Sequence, residues 1–259
     1  MSAVEDAAGR AGVRETGRWH GPILLVAGLL ALWQLLYLVV GDVALRSPLE
    51  TVRFTVELFG RESFWPNLTE TAKAFAVALV ISIVLGLAIG FLLGFYRLAG
   101  AVFEPMLVAL YSIPKLTLYP IVLLAFGLGM PAKVAFGVIH GVVPVALFTI
   151  AAVGNVKPVL IKTGRVLGFG AFDMVTQVLF PAALPEIFSG IRIGFALTLI
   201  GTLLGEMFAS QRGLGYMLMN AIGLHNVDII MSVTFMITVF AATVSAALLA
   251  VDRRLHRRG

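Results

Sequence analysis

The sequence predicts an all-α integral membrane protein with six transmembrane helices and both termini in the cytoplasm. Three observations carry this. Hydrophobic residues make up 59% of the 259 residues and charged residues only 13%, with a mean hydropathy of +0.99. A soluble domain covers its surface with about 25% charged residues, and this chain has too few to do so. Uncharged runs of roughly 20 residues, enough to cross a ~30 Å hydrocarbon core, recur along it. The net charge of +5 lies mainly in tails and loops, where basic residues set orientation. It therefore gives no sign of nucleic-acid binding. Cysteine is absent, which rules out disulfides and thiolate metal sites.

Taken in order, residues 1–20 are polar, with Arg10, Arg14 and Arg18 ahead of the first apolar run. They read as a cytoplasmic N-terminal tail. The uncharged run 21–41 reads as a retained first span. A cleaved signal peptide would carry a shorter apolar part, about 7–15 residues, and a small-residue cleavage site. Residues 42–70 have a net negative charge that suits the outer side. Within them Ser47 and Glu50 form a capping signature, so 47–60 is expected to be a short amphipathic helix on the outer surface.

The second span, 71–95, places Ala74, Ala78, Ser82, Gly86, Gly90 and Gly94 four residues apart. This is a continuous ridge of small side chains, the pattern that lets helices approach closely in lipid. The seam would lie within the chain or between two copies. The third span, 102–128, is interrupted by Pro114, Lys115 and Pro120. Broken backbone at membrane depth survives only against protein or a watery cavity. Lys115 is thus a candidate translocation-pathway residue, unless it snorkels to the interface. Residues 127–133 read as an outer turn. The fourth span, 134–153, contains His140 and Pro144. A lone histidine is no metal site, so His140 either bonds within the bundle or lines a path.

Residues 157–185 separate two spans and are amphipathic, with Val159, Leu160, Val166, Leu167, Phe172, Val175, Val178 and Leu179 recurring among polar positions. Gly168 and Gly170 break the segment, and Pro181 and Pro185 are expected to end it. Such a segment is either a surface for another protein or a helix lying on lipid. The fifth span, 187–209, has Gly190, Gly194, Thr198, Thr202 and Glu206 on one face. Glu206 would meet a solvated path or sit at the outer interface. Residues 210–228 read as an outer loop with a short turn into the membrane. The sixth span, 229–251, precedes the basic cytoplasmic tail 252–259. Six spans bring both tails and Lys157, Lys162 and Arg165 to one side, as the positive-inside rule requires.

The chain has no G-x-x-x-x-G-K-[ST] phosphate loop, so it has no such device for binding ATP. It also lacks H-E-x-x-H and G-x-S-x-G, which argues against an intramembrane enzyme. A secondary transporter or channel often shows an internal repeat and paired discontinuous helices. Only one broken span is visible here.

The 162–181 segment resembles the EAA loop of ABC-transporter permeases: Glu-Ala-Ala, three residues, Gly, nine residues, Ile-x-Leu-Pro. The glycine corresponds to Gly168 and the closing element to Val178-Leu179-Phe180-Pro181, with Lys162-Thr163-Gly164 in place of Glu-Ala-Ala. The stretches SIPKLTLYPIVLLAFGLGMPAKV at 112–134 and PAALPEIFSGIRIGFA from Pro181 resemble the nitrate, sulfonate and taurine-type branch. The resemblance implies a type I importer permease over 21–251, acting as a homodimer in the bacterial inner membrane. It implies two copies of a separate ATPase subunit carrying ATP and Mg, no cofactor on this chain, and a periplasmic or surface-anchored binding protein. It also implies a small solute such as nitrate, taurine or an alkyl sulfonate. The docking surface would comprise Lys162, Thr163, Gly164, Leu167, Gly168, Phe169, Gly170, Phe172 and Pro181.

Overall fold

The computed structural model describes residues 20–256, so the expected tail before His20 and the last three residues lie outside the described part. The chain divides into two compact units, Met1–Arg53 and Phe54–Gly259. The first holds α1 (His20–Val40) and the start of α2 (Pro48–Phe59). α2 begins with a capping box. The Glu50 N–H donates to Ser47 Oγ at 3.2 Å, and the Ser47 N–H donates back to Glu50 Oε2 at 3.1 Å, satisfying two amide donors at a helix start.

The second unit is organised around α6 (Met130–Gly154), of whose 25 residues fourteen are buried. α3 (Phe64–Phe95) lies on one side of it and α9 (Phe180–Ala209) on the other. Small residues make both contacts. A Cβ at Gly86 would stand 2.6 Å from Val145 Cβ, and one at Gly94 would stand 2.8 Å from Val153 Cβ; Gly90 lies between, against Thr149. The pairs ascend together, so α3 and α6 are parallel. Along α9 the order reverses. Gly190 abuts Phe148, Gly194 abuts Val145, Gly201 abuts Phe136 and His140, and Gly205 abuts Lys133. α9 is therefore antiparallel to both. The three helices meet at Gly141, which faces Thr198 and Ser82 at once. In hydrocarbon, such close approach is what dispersion and packing need to hold helices together. The seam of Ser82, Gly86, Gly90 and Gly94 thus faces α6 of the same chain.

Because α3 and α6 are parallel, the chain between them must recross the membrane. It does so as a bent pair, α4 (Arg97–Ser112) and α5 (Tyr119–Phe126), joined by a 3₁₀ turn at Lys115–Leu118 and bent by 89°. The third span is therefore two short helices. The bend falls at Pro114, whereas Pro120 sits in the first turn of α5, where its missing N–H costs nothing. Among the described residues, five helices are long and apolar enough to cross, and the bent pair makes six. α10 (Leu214–Gly223) is too short to cross. α11 (Val227–His256) runs antiparallel to α9: Val233 clusters with Leu214 just past the end of α9, and Asp252 meets Ser189 near its start. Only three of its 30 residues are buried.

Two expectations are corrected. Lys133 is not in an outer turn; α6 begins at Met130, and Lys133 is 1% exposed within it. Pro181 and Pro185 do not end the inner segment. Helix continues from Ala171 to Phe208 as one 38-residue element. A π-turn at Met174–Leu179 stands just before Pro181. Such a widened turn relieves the clash that a proline ring makes with the preceding carbonyls.

The odd number of crossings between residues 41 and 259 gives a direct check. Reporter fusions after Gly41 and after Gly259 should read opposite sides of the membrane. The same side for both would contradict the bent pair as a single crossing.

Candidate functional site

Two sites stand at opposite ends of the α3–α6–α9 core. At the inner end, α7 (Pro158–Val166) and α8 (Ala171–Asp173) form a helical hairpin. Its turn is a Schellman motif. The Gly168 N–H donates to Arg165 O at 3.1 Å, the Phe169 N–H donates to Gly164 O at 3.0 Å, and Gly168 has φ +72°. This arrangement satisfies the last carbonyls of α7 and needs a residue free to turn left-handed. Gly164 is buried: a Cβ there would sit 2.9 Å from Met174 Cε and 3.3 Å from the Phe169 ring. Met174, Leu179, Ala152, Val153, Val156, Ala183 and Ile187 form a core beneath the hairpin, with Ile161 and Phe169 packed on it.

The nine residues expected to dock a partner therefore divide. Gly164 and Phe169 hold the hairpin together. Lys162, Thr163, Leu167, Gly168, Gly170, Phe172 and Pro181 are exposed. Leu167 and Phe172 are 64% and 79% exposed, beside Val166 at 87%. Thr163, Leu167, Gln177, Val178 and Pro181 line an open groove of about 410 Å³. The result is an apolar surface flanked by Lys162 and Arg165, held on a hairpin whose turn is closed by the Gly168 and Phe169 amides.

At the outer end a buried polar clasp joins four helices. Glu206 on α9 is fully buried. Thr71 Oγ on α3 donates to its carboxylate at 2.7 Å, and the Gly215 N–H of α10 donates to Glu206 Oε2 at 3.0 Å. The Leu214 N–H donates to Thr71 Oγ at 2.8 Å, and the Gly213 N–H donates to Asn67 Oδ1 at 2.8 Å. Three successive amides at the start of α10 are thereby satisfied. Lys133 Nζ on α6 lies 2.9 Å from Glu70 Oε1, 2.9 Å from Arg212 O and 3.9 Å from Glu206 Oε1. Gly213 has φ +122°, and a Cβ there would fall on the Glu206 carboxyl group.

Of the three residues expected along a pathway, two are interior. Glu206 belongs to the clasp. His140 is 8% exposed; its Nδ1 lies 2.8 Å from Phe136 O, and Gly201 packs on its ring. Lys115 is half-buried at the α4–α5 bend. Its Nζ donates to Tyr111 O at 3.0 Å and lies 4.9 Å from the Tyr111 ring centroid. The sequence reading missed Asn67, Glu70, Thr71, Lys133, Gly213 and Gly215. The pair of glycines on either side of Leu214, where the apolar ten-residue run Leu214–Gly223 begins, was the available signal of a tight helix start against a buried group.

The architecture is a bundle of membrane-crossing helices that carries a helical hairpin at its inner end. Residues 82–258 match the family of binding-protein-dependent transport system inner membrane components, and the chain belongs to that family. It is 28% identical over 245 residues to a probable ABC transporter permease protein of Haemophilus influenzae, covering 91% of this chain and 95% of that one. It is 26% identical over 253 residues to the taurine transport system permease protein TauC of Escherichia coli, covering 92% of each. A putative aliphatic sulfonates transport permease protein, SsuC of Bacillus subtilis, is 27% identical over 205 residues, covering 78% of this chain and 74% of that one. Among solved structures, the inward-facing MetNI methionine ABC transporter matches with a TM-score of 0.58 at 19% identity, covering 74% of this chain and 96% of that one. An amino acid ABC transporter matches with a TM-score of 0.53 at 19% identity, covering 82% of this chain and 98% of that one. The fold is that of type I ABC importer permeases, and the chain is the membrane permease component of such an importer.

Proposed function

We propose that the chain works as a homodimer in the bacterial cytoplasmic membrane, over two copies of a separate ATPase subunit that carries ATP and Mg. A periplasmic or surface-anchored binding protein delivers the solute. The observation that supports the ATPase partner is the inner hairpin. It presents exposed apolar side chains and cations on a rigid base, and α8 runs without a break into α9. A helix floating on lipid would not need a Schellman turn and its own core. The partner's socket would be apolar with acidic groups facing Lys162 and Arg165. Affinity purification of the permease from its native membrane should recover an ATPase. Recovery of the permease alone, together with uptake that is independent of ATP, would favour a secondary transporter or channel.

Relatives named for taurine and aliphatic sulfonates suggest a small organic anion as the solute. Others are named for riboflavin and formylaminopyrimidine. The ligand retained by the cognate binding protein decides the class. Lys115 at the bend is the pathway residue this reading favours, since its cation stands where the third span is broken. A charge-assisted hydrogen bond is worth about 1.5–3 kcal/mol. Lys115→Ala should therefore lower uptake roughly tenfold or more while the ATPase still co-purifies. Unchanged uptake would assign Lys115 to the interface.

A further inference from the structure

The outer clasp lies far from the inner hairpin, yet both are built on the same two helices. The loop between α6 and α9 is the hairpin. The opposite ends of α6 and α9 carry Lys133 and Glu206. Between them the two helices touch along their whole length through Gly190, Gly194, Gly201 and Gly205 of α9. α10 follows α9 after a tight turn, and its first three amides are bound by Asn67, Thr71 and Glu206. α10 is thus attached to α3 and α9 by its backbone, and the turn that precedes it is attached to α6 through Lys133 and Arg212 O.

We propose that Glu206, Thr71 and Lys133 form a joint that makes α10 a rigid outward extension of the α6–α9 pair, so that a displacement of the inner hairpin is carried to the outer surface through α10. A packed interior is bistable rather than continuously deformable. Force entering at the hairpin reaches α10 undiminished only if the connection at its start does not yield. A backbone turn alone would yield. The carboxylate fixes the turn: it accepts from Thr71 and Gly215, faces Lys133, and occupies the space where any side chain at position 213 would stand. These three are positioning residues. They are buried inside the subunit and have no surface to offer a solute.

This inference rests on the ATPase-driven reading, and its test separates the two. The permease, its ATPase and its binding protein are reconstituted in proteoliposomes. Solute uptake and ATP hydrolysis are measured with and without loaded binding protein. The wild type establishes whether hydrolysis drives uptake at all; if it does not, the functional reading falls. If it does, Glu206→Gln and Thr71→Val should retain the ATPase and its basal hydrolysis. In both, the stimulation of hydrolysis by loaded binding protein should fall roughly fivefold or more, the lower end of coupling between distant sites, and uptake should fall with it. Thr71→Val is the gentler change, removing one donor to the carboxylate and the acceptor of one α10 amide, and serves if Glu206→Gln does not fold. Wild-type stimulation in a folded variant would overturn the proposal. So would a parallel loss of ATPase association and all hydrolysis, which marks a purely structural role.

Discussion

Leucine at Gly90 should leave no folded permease in detergent. Gly90 lies against Thr149, and a Cβ there would also stand 2.7 Å from Thr149 Cγ2 and 2.9 Å from Ala146 O. Neither neighbour can give way. Thr149 is β-branched, fully buried and bonded to Val145 O at 2.7 Å, and Ala146 O is backbone. The two helices must separate. Overpacking costs about 1–3 kcal/mol in a soluble core. A leucine adds three carbons beyond that first clash, so the cost should reach or exceed the upper end. Lipid offers no hydrophobic drive to hold the helices together once contact is lost. Gly141→Val should be at least as damaging, because two helices, through Thr198 and Ser82, crowd that position. Gly28→Leu is the control. It lies on α1 with nothing within 4 Å of its Cβ position, and it should be neutral. Size-exclusion profiles and tryptophan-fluorescence melts of the three variants decide the matter. A monodisperse Gly90→Leu protein melting like wild type would overturn the packing described for α3 and α6.

Valine at Gly168 should yield a folded, membrane-inserted permease that no longer retains its ATPase and no longer transports. Nothing in the chain lies within 4 Å of a Cβ there, so the effect does not come from crowding within the subunit. It comes from φ +72°, a conformation costly for a β-branched residue. Strain at such positions is of order 1–3 kcal/mol, and the hairpin relieves it by opening its Schellman turn. Asparagine or aspartate tolerates this region better, so Gly168→Asn should retain much of the association. That order, glycine above asparagine above valine, distinguishes backbone geometry from simple bulk. ATPase co-purification and uptake measured together give the readout. Full retention of both in Gly168→Val would make the hairpin an ordinary interfacial segment.

Much of the architecture was legible because lipid simplifies the code. Long apolar runs, small residues every four positions and basic loops each have one dominant physical cause. The ridge from Ser82 to Gly94 and the one from Gly190 to Glu206 could be read directly; what they packed against could not, since periodicity names a face and not its partner. Pro181 misled for a similar reason. Proline breaks an α-helix, but a π-turn just upstream absorbs it, and nothing in the composition of 174–179 announces that turn. Glu206 was visible as an acidic residue at the end of a span. Its partners were not, because Thr71, Lys133 and Gly215 come from three other segments and meet only in the folded bundle. Lys133 in particular looks like an interfacial lysine until Glu70 and Arg212 O are seen beside it.

The unbroken helix from Ala171 to Phe208 has a consequence for scale. Thirty-eight residues at 1.5 Å each make a rod of about 57 Å. If it tilts about its middle, each arm is roughly 28 Å long, and a tilt of only about 5° swings either tip by some 2.5 Å, in opposite directions. Inward travel at one mouth is then outward travel at the other. In the homodimer proposed above, two such rods facing each other across the dimer axis would narrow the inner mouth as they widen the outer one.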